Sequence, residues 1–325
     1  MTRLGYQIPN FNYPDVGPDG LFEAVAAQAR AADQSGFDTV FVMDHFYQLP
    51  GIGDPDDYML ECYTLLAALA RETEQVRLSA LVTGNTYRNP AVLAKTVTTV
   101  DLVSNGRAML AIGSGWFELE HDAFGIEFNT FTERFEKLEE ALQIILPMLR
   151  DERPSLDGTH YQVADAINQP APISDIPVMI GGNGEKKTLR MVAQYATDGN
   201  LTCERNEIPQ KVEALAGHCE RLGRDRSEIT LSHLTRVLVA PTMAEAEADL
   251  HDFLVSRGND PSSMTDDELD FFKAIFIFGD ADSLAEAMEE EMALGIEGFT
   301  FNAVANGHKP ERVEFLGEAA KGVLG

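Results

Sequence analysis

The sequence predicts an α/β fold: eight parallel strands alternating with helices, closed into a (β/α)8 TIM barrel with insertions. Three observations predict it. Short apolar, β-branched runs recur along the chain, and each precedes a stretch with apolar residues at helical spacing. Eight such units fit within 325 residues, a length that suits one barrel or two modest domains. No stretch reads as a linker, so the expectation is one domain over 1–325, with insertions near 151–176 and 257–278. An open doubly wound sheet is the alternative arrangement of the same units.

Residues 4–9 read as the first strand. Leu21, Val25, Ala29 and Ala32 then mark a helix that ends near Ser35-Gly36. The second strand is Thr39-Val40-Phe41-Val42, and it runs directly into Met43-Asp44-His45-Phe46. Residues 61–71 form the next helix, and 76–82 a third strand ending at Thr83-Gly84-Asn85. Pro90 opens a helix through 103, since proline suits a first helical turn, and Asn105-Gly106 stops it. The fourth strand, 108–112, breaks into Gly113-Ser114-Gly115-Trp116. Thr130-x-x-Glu133 is a capping box for a long helix, whose last turn Pro147 should loosen. The fifth strand, 177–180, breaks into Gly181-Gly182-Asn183-Gly184. Strands near 198–202, 229–240 and 299–302 complete eight, interleaved with helices over 209–222, 243–254, around 284–292 and 310–323. The two insertions read as irregular, and Thr73-Glu74-Gln75 as plain surface.

Asp+Glu number 53 against Lys+Arg 25, a formal net charge of −28. So acidic a surface argues against nucleic acid and against anionic membranes as partners. No apolar run approaches the roughly 18 residues of a membrane span. The N-terminus lacks the basic start and apolar core of a secretory signal. Cys62, Cys203 and Cys219 are odd in number and widely spaced, which suggests reduced thiols in a cytoplasm and offers no metal spacing. No Gly-x-Ser-x-Gly elbow is present.

In a barrel the carboxyl ends of all strands meet at one mouth. Asn10, Asp44-His45, Thr83-Gly84-Asn85, Gly113-Ser114-Gly115-Trp116 and Gly181-Gly182-Asn183-Gly184 then share one constellation. Alone, Asp44 is a turn cap and His45 a satisfied histidine; the convergence turns the pair toward chemistry. The glycines of 181–184 allow close backbone approach, and amides at a helix start attract an anion. Lys186, Lys187 and Arg190 reverse the local charge, which a phosphate-bearing ligand would explain; the plain alternative is a glycine turn with ordinary surface lysines. Trp116 walls a flat ring or substrate, or else packs as a rim residue. Glu120-His121 could reach the pocket, but reads first as a solvated charged turn.

Several motifs in this order resemble the luciferase-like monooxygenase superfamily, in its branch of oxidoreductases dependent on coenzyme F420. They are Val42-Met43-Asp44-His45-Phe46, the run from Leu81 through Asn85-Thr86-Tyr87-Arg88-Asn89-Pro90 to Lys95, Gly113-Ser114-Gly115-Trp116-Phe117-Glu118, and Pro177-Val178-Met179-Ile180-Gly181-Gly182. The likeness runs nearly end to end. It implies a luciferase-like barrel, often a homodimer, with a flavin-shaped ring across the mouth. Asp44 would contact the ring's polar end or position His45, and His45 would be the acid/base group. A non-proline cis peptide, frequent in the family, falls by position at Ala80-Leu81. Ala80, Leu81, Thr83, Ser114, Gly115, Trp116, Gly181, Gly182, Asn183, Gly184 and Lys186 would hold the cofactor. Asn10, His45 and Trp116 would face the substrate. Some relatives carry a glutamate where Trp116 stands, and its absence argues against oxidation of a sugar phosphate. The resulting reading is hydride exchange between F420 and a small organic molecule. Two alternatives stay open: an FMN-dependent monooxygenase using reduced flavin and O2, and a flavin- or deazaflavin-binding protein without turnover.

Overall fold

The structure is a computed structural model that describes residues 3–324. In chain order its elements are β1 (Leu4–Ile8), α1 (Leu21–Ser35), β2 (Thr39–Val42), α2 (Cys62–Glu72), β3 (Arg77–Ala80), β4 (Thr83–Gly84), α3 (Pro90–Val103), β5 (Leu110–Gly113), α4 (Glu118–Phe124) and α5 (Phe131–Leu149). They continue as β6 (Leu156–Asp157), β7 (Gln162–Val163), β8 (Val178–Gly181), α6 (Thr188–Tyr195), β9 (Asp198–Leu201), α7 (Ile208–Leu222) and β10 (Thr230–Val239). The last are α8 (Met243–Ser256), α9 (Asp266–Lys273), β11 (Ile277–Gly279), α10 (Ala281–Ala293), β12 (Gly298–Asn302) and α11 (Pro310–Leu324).

Strand β1 lies between β2 and β12, and the parallel ladder continues through β10, β9, β8 and β5. The third strand closes the ring in two pieces. Its first half, β3, pairs with β2; its second, β4, pairs with β5; Leu78 bridges to Ala108. The predicted barrel is therefore the observed one. The strands are short and buried on both faces, as parallel strands covered by helices must be.

Inside, Phe41, Leu81, Met109, Ala111 and Met179 pack together with Leu234. Below them lies a polar layer in which Asn200 donates to the Ser232 hydroxyl at 2.9 Å. Gly5 faces this interior, where a Cβ would stand 2.6 Å from the Phe41 ring. Outside, the helices bury their apolar stripes on the strands. The Thr130–Glu133 capping box forms, and α5 ends two residues after Pro147.

Four expectations need correction. The third strand is interrupted, and the non-proline cis peptide lies at Leu81-Val82, one residue beyond Ala80-Leu81. Ala80 is still in register with Val42, and the Leu81 amide still donates to the Val42 carbonyl at 2.8 Å, so the ladder holds the earlier peptide. The 257–278 segment is not irregular. It contains α9, opened by a Thr265–Glu268 capping box, and β11, which extends the far end of β10. The 151–176 insertion carries the β6–β7 hairpin, pinned where Glu140 accepts the amides of Thr159, His160 and Tyr161. Residues 73–75 are surface only in part: Glu74 and Gln75 are exposed, but Thr73 is buried, and the amides of Glu74 and Gln75 donate to the Asp33 carboxylate.

Candidate active site

Strand β2 ends at Val42, and the next residues diverge. Asp44 turns inward and is 2% exposed. Its carboxylate accepts two bonds from the Arg88 guanidinium, at 2.7 and 2.9 Å, and one from the Gly84 amide at 3.0 Å. Burial pushes the Asp44 carboxyl up, while Arg88 and the Gly84 amide oppose that shift. The same carboxylate holds Arg88 strongly in its charged form against the cost of its burial. Arg88 also reaches Glu61 at 2.7 Å. Asp44 thus ties the 83–88 turn to the end of β2. Among the described residues no hydrogen bond joins its carboxylate to His45.

His45 is half-buried beside Trp116 and Phe117. Its Nδ1 lies 2.9 Å from Glu120 Oε2. Glu120, at the start of α4, is fully buried. Its two oxygens also accept from the Tyr87 hydroxyl, the Phe46 amide and, at 2.9 Å, the Tyr47 amide. Burial raises this carboxyl, but the bonds and charge of His45 and the donors from Tyr87 and Tyr47 outweigh it and hold it below its ordinary value. An ionised carboxylate only accepts, so the proton on Nδ1 belongs to the imidazole. Nε2 is left for the mouth, and it bonds to no other described residue.

The reading of Glu120-His121 as a solvated turn is therefore wrong. Glu120 orients His45, and His121, also fully buried, bonds to the Phe117 carbonyl and the Thr86 hydroxyl. Nothing in the local sequence separates Glu120 from its solvated neighbour Glu118. The usable signal was the next turn of residues: Tyr87 and Arg88 lie in the most specific motif, and both bind carboxylates here.

The rest of the rim follows the sequence more closely. Trp116 is 59% exposed, stacks on Phe117 at 5.0 Å and stands edge-on to His45 at 5.7 Å. It stands exposed beside His45 and Phe117. Thr83 is buried and bonds to the Tyr63 hydroxyl at 2.6 Å. Ser114 and Gly115 follow β5, with Gly115 at φ 77° and its Cα hydrogen facing Thr86. A methyl added at Gly113 or Gly181 would stand 2.9 or 2.8 Å from the Val82 side chain. Val82, more than Ala80, is thus the residue that meets the glycine floor. Asn10 closes β1 and lines a cavity of about 1240 Å³ that also includes Arg236 and the start of the 257–278 insertion.

The glycine loop after β8 suits an anion in one respect and departs from expectation in another. Gly182 (φ 129°) bonds to the Asn200 carbonyl, and Asn183 exchanges two bonds with Thr202. Among the described residues, the amides of Asn183, Gly184 and Glu185 have no partner, so three donors lie free just before α6. Lys186, however, lines a separate groove against α7 with Glu185, Glu213 and His218. Lys187 lies over the rings of Phe131 and Phe135, and Arg190 pairs with Glu139 at 2.7 Å. Acidic and aromatic neighbours have drawn the positive charge away from the loop. Backbone amides, with α6 behind them, are what remains for a phosphate.

Comparison with known proteins bears on the family and the fold. Residues 2–298 match the family model described as luciferase-like monooxygenase. An F420-dependent glucose-6-phosphate dehydrogenase of Amycolatopsis mediterranei is 32% identical over 60% of this chain and 55% of its own length. One from Microbacterium testaceum is 30% identical over 70% of this chain and 65% of its own length. The chain thus spans between half and two thirds of these curated relatives. Among solved structures, the monooxygenase RslO1 from Streptomyces bottropensis superposes with a TM-score of 0.81 at 17% identity, covering 98% of this chain and 99% of its own. An F420-dependent secondary alcohol dehydrogenase, solved with an F420-acetone adduct, superposes with a TM-score of 0.77 at 20% identity, covering 99% of each chain.

Proposed function

The chain belongs to the luciferase-like monooxygenase family, and from that premise we propose that it is an F420-dependent oxidoreductase exchanging a hydride with a small organic molecule. The observation that carries the proposal is the His45–Glu120 pair. A mouth imidazole whose Nδ1 is held by a fully buried carboxylate has one nitrogen reserved for a proton at the reacting centre. A protein that merely stored a cofactor would have no use for that arrangement.

The residues present fit such a group. Gly113 and Gly181 leave room for the Val82 side chain between them, and that side chain is the surface offered to a flat ring. The free amides of 183–185 suit its phosphate. When bound, the deazaflavin supplies the carbon that gives or takes the hydride. The chain does the rest. His45 Nε2 takes the proton of a substrate hydroxyl, or returns it to a carbonyl oxygen. Glu120 fixes the tautomer and stabilises the imidazolium while the proton is held. Trp116 and Phe117 wall the site, and Asp44 with Arg88 hold the 83–88 turn beneath it. The three free cysteines are all buried, which suits the cytoplasm, and we keep the homodimer that the family resemblance implies.

Titration of the purified chain with F420 and with FMN, read by absorbance and fluorescence, tests the proposal. Binding of F420, followed by substrate-dependent change in its absorbance, is the expected result. Tight FMN binding without F420 binding would replace the proposal with a flavin monooxygenase.

A further inference from the structure

The cavity beside Asn10 contains a cation that the chain itself leaves unanswered. Arg236 lies on β10, in register with Asn302 of β12, and Asn302 is in register with Gln7 of β1. Two residues earlier on each strand, Leu234 and Thr300 are also paired, and Leu234 packs in the barrel interior. Side chains alternate along a strand, so Arg236 and Asn302 share that inward face at the mouth. Arg236 lines the cavity and makes no hydrogen bond or ion pair with any described residue. Asn302 is 5% exposed; its amide nitrogen donates to Gln7 at 2.8 Å, but its carbonyl oxygen is buried without a partner.

A free guanidinium offers only donors, and a free amide oxygen only accepts. Arg236 is exposed and the Asn302 oxygen buried, and the pair together suits an anionic oxygen group with an O–H or N–H close beside it. Of the acidic residues on the same cavity, Asp54, Asp57 and Asp252, none bonds to Arg236, and Asp54 and Asp57 lie toward Arg257. Asp252 is drawn to Lys309 at 3.4 Å, and Asp57 accepts the Asp54 amide at 3.0 Å in the loop that approaches Arg257. His45 stands on β2, three strands from β10 round the wall, roughly 14 Å at ordinary strand spacing. A small molecule held at one end by Arg236 can therefore place its other end toward His45.

We propose that Arg236 and Asn302 form the substrate-recognition end of the mouth, and that the substrate is a small oxyanion, a carboxylate or phosphate, bearing an adjacent hydroxyl or N–H. This rests on the hydride-transfer reading for what happens to the substrate, but the recognition itself can be measured without turnover.

The test is calorimetric titration of the cofactor-free chain, at constant ionic strength, with lactate, glycerol 3-phosphate and the neutral propane-1,2-diol. At least one oxyanion should bind about tenfold tighter than the diol, as a charge-assisted pair allows. Arg236→Gln should reduce that oxyanion to the level of the diol without changing the thermal midpoint, and Asn302→Leu should weaken it while leaving the charge in place. Comparison of lactate with glycerol 3-phosphate tells which oxyanion is preferred. Oxyanions binding no better than the diol would overturn the inference, as would a preference that survives Arg236→Gln. So would a loss confined to F420 affinity, measured by fluorescence, since Arg236 would then belong to the cofactor. Failure of the wild-type chain to bind F420 would defeat the hydride-transfer reading alone and leave the oxyanion preference standing.

Discussion

Replacing Glu120 with Gln changes one oxygen of a fully buried carboxylate into an amide nitrogen and leaves the shape intact. The Oε1 that accepts the Phe46 and Tyr47 amides can remain an acceptor. The atom facing His45 Nδ1, now 2.9 Å away, becomes a donor. The imidazole must then carry its proton on Nε2, the nitrogen that the reaction needs free, and the buried negative charge that favours a transient imidazolium is gone. A hydrogen bond to a charged group contributes about 1.5–3 kcal/mol net. If that interaction matters mainly when His45 holds the reaction proton, the rate should fall about ten- to hundredfold. Affinity for the cofactor should change little. Turnover with any alcohol or ketone that supports change in deazaflavin absorbance gives the rate, and the ring nitrogen shifts of 15N-labelled histidine give the tautomer. The double variant with His45→Ala is decisive, because Glu120→Gln should add almost nothing once the imidazole is absent. A rate within twofold of wild type, or an additive loss in the double variant, would refute the argument that Glu120 acts through His45.

Three further outcomes follow from the geometry. Arg88→Met leaves the buried Asp44 carboxylate with the Gly84 amide alone; removing one partner of a buried pair costs about 3 kcal/mol, and a urea midpoint unchanged from wild type would contradict the pairing. Gly181→Ala forces a methyl to within 2.8 Å of Val82 and should cost roughly 1–3 kcal/mol of stability while weakening cofactor binding; Val82→Ala in the same chain should recover part of both, and no recovery would show that the clash is not the cause. His233 is buried on β10 between Glu291, at 2.8 Å, and the Cys203 carbonyl, at 2.9 Å. Burial lowers its imidazole, but the Glu291 bond and charge and the Cys203 carbonyl outweigh that, and its folded value lies above the ordinary 6.5. Its stabilisation is therefore complete below about pH 6.5 and is lost as pH rises through the folded value. The unfolding free energy of His233→Asn should differ most from wild type at low pH, and a gap that widened with rising pH would reverse this sign.

What the sequence determined by itself was the alternation and its punctuation. Apolar strands bounded by glycines, helices opened by Pro90 or by the Thr130–Glu133 box, and a strand that stops at Asp44-His45 are properties of neighbouring residues. They are set by backbone preference and periodicity, and they were enough to predict a closed barrel and the strand ends at its mouth. The Thr265–Glu268 box was equally local, although the segment around it reads as irregular.

Only the tertiary structure decided which of these residues act on one another. Glu120 lies 75 positions from His45 and reads as one acid among many in a chain with 53. Its burial under Tyr87, Phe46 and Tyr47 is what makes it a partner. Asp44 and His45 are adjacent in sequence, yet one is held by Arg88 and the other by Glu120, because the chain leaves the ladder after Val42. The lysines after the glycine loop were captured by Phe131, Phe135 and the α7 groove, leaving the backbone to hold an anion. Local propensity places each side chain on its element. Long-range packing sets the dielectric and the partners, and those decide which charges remain for chemistry.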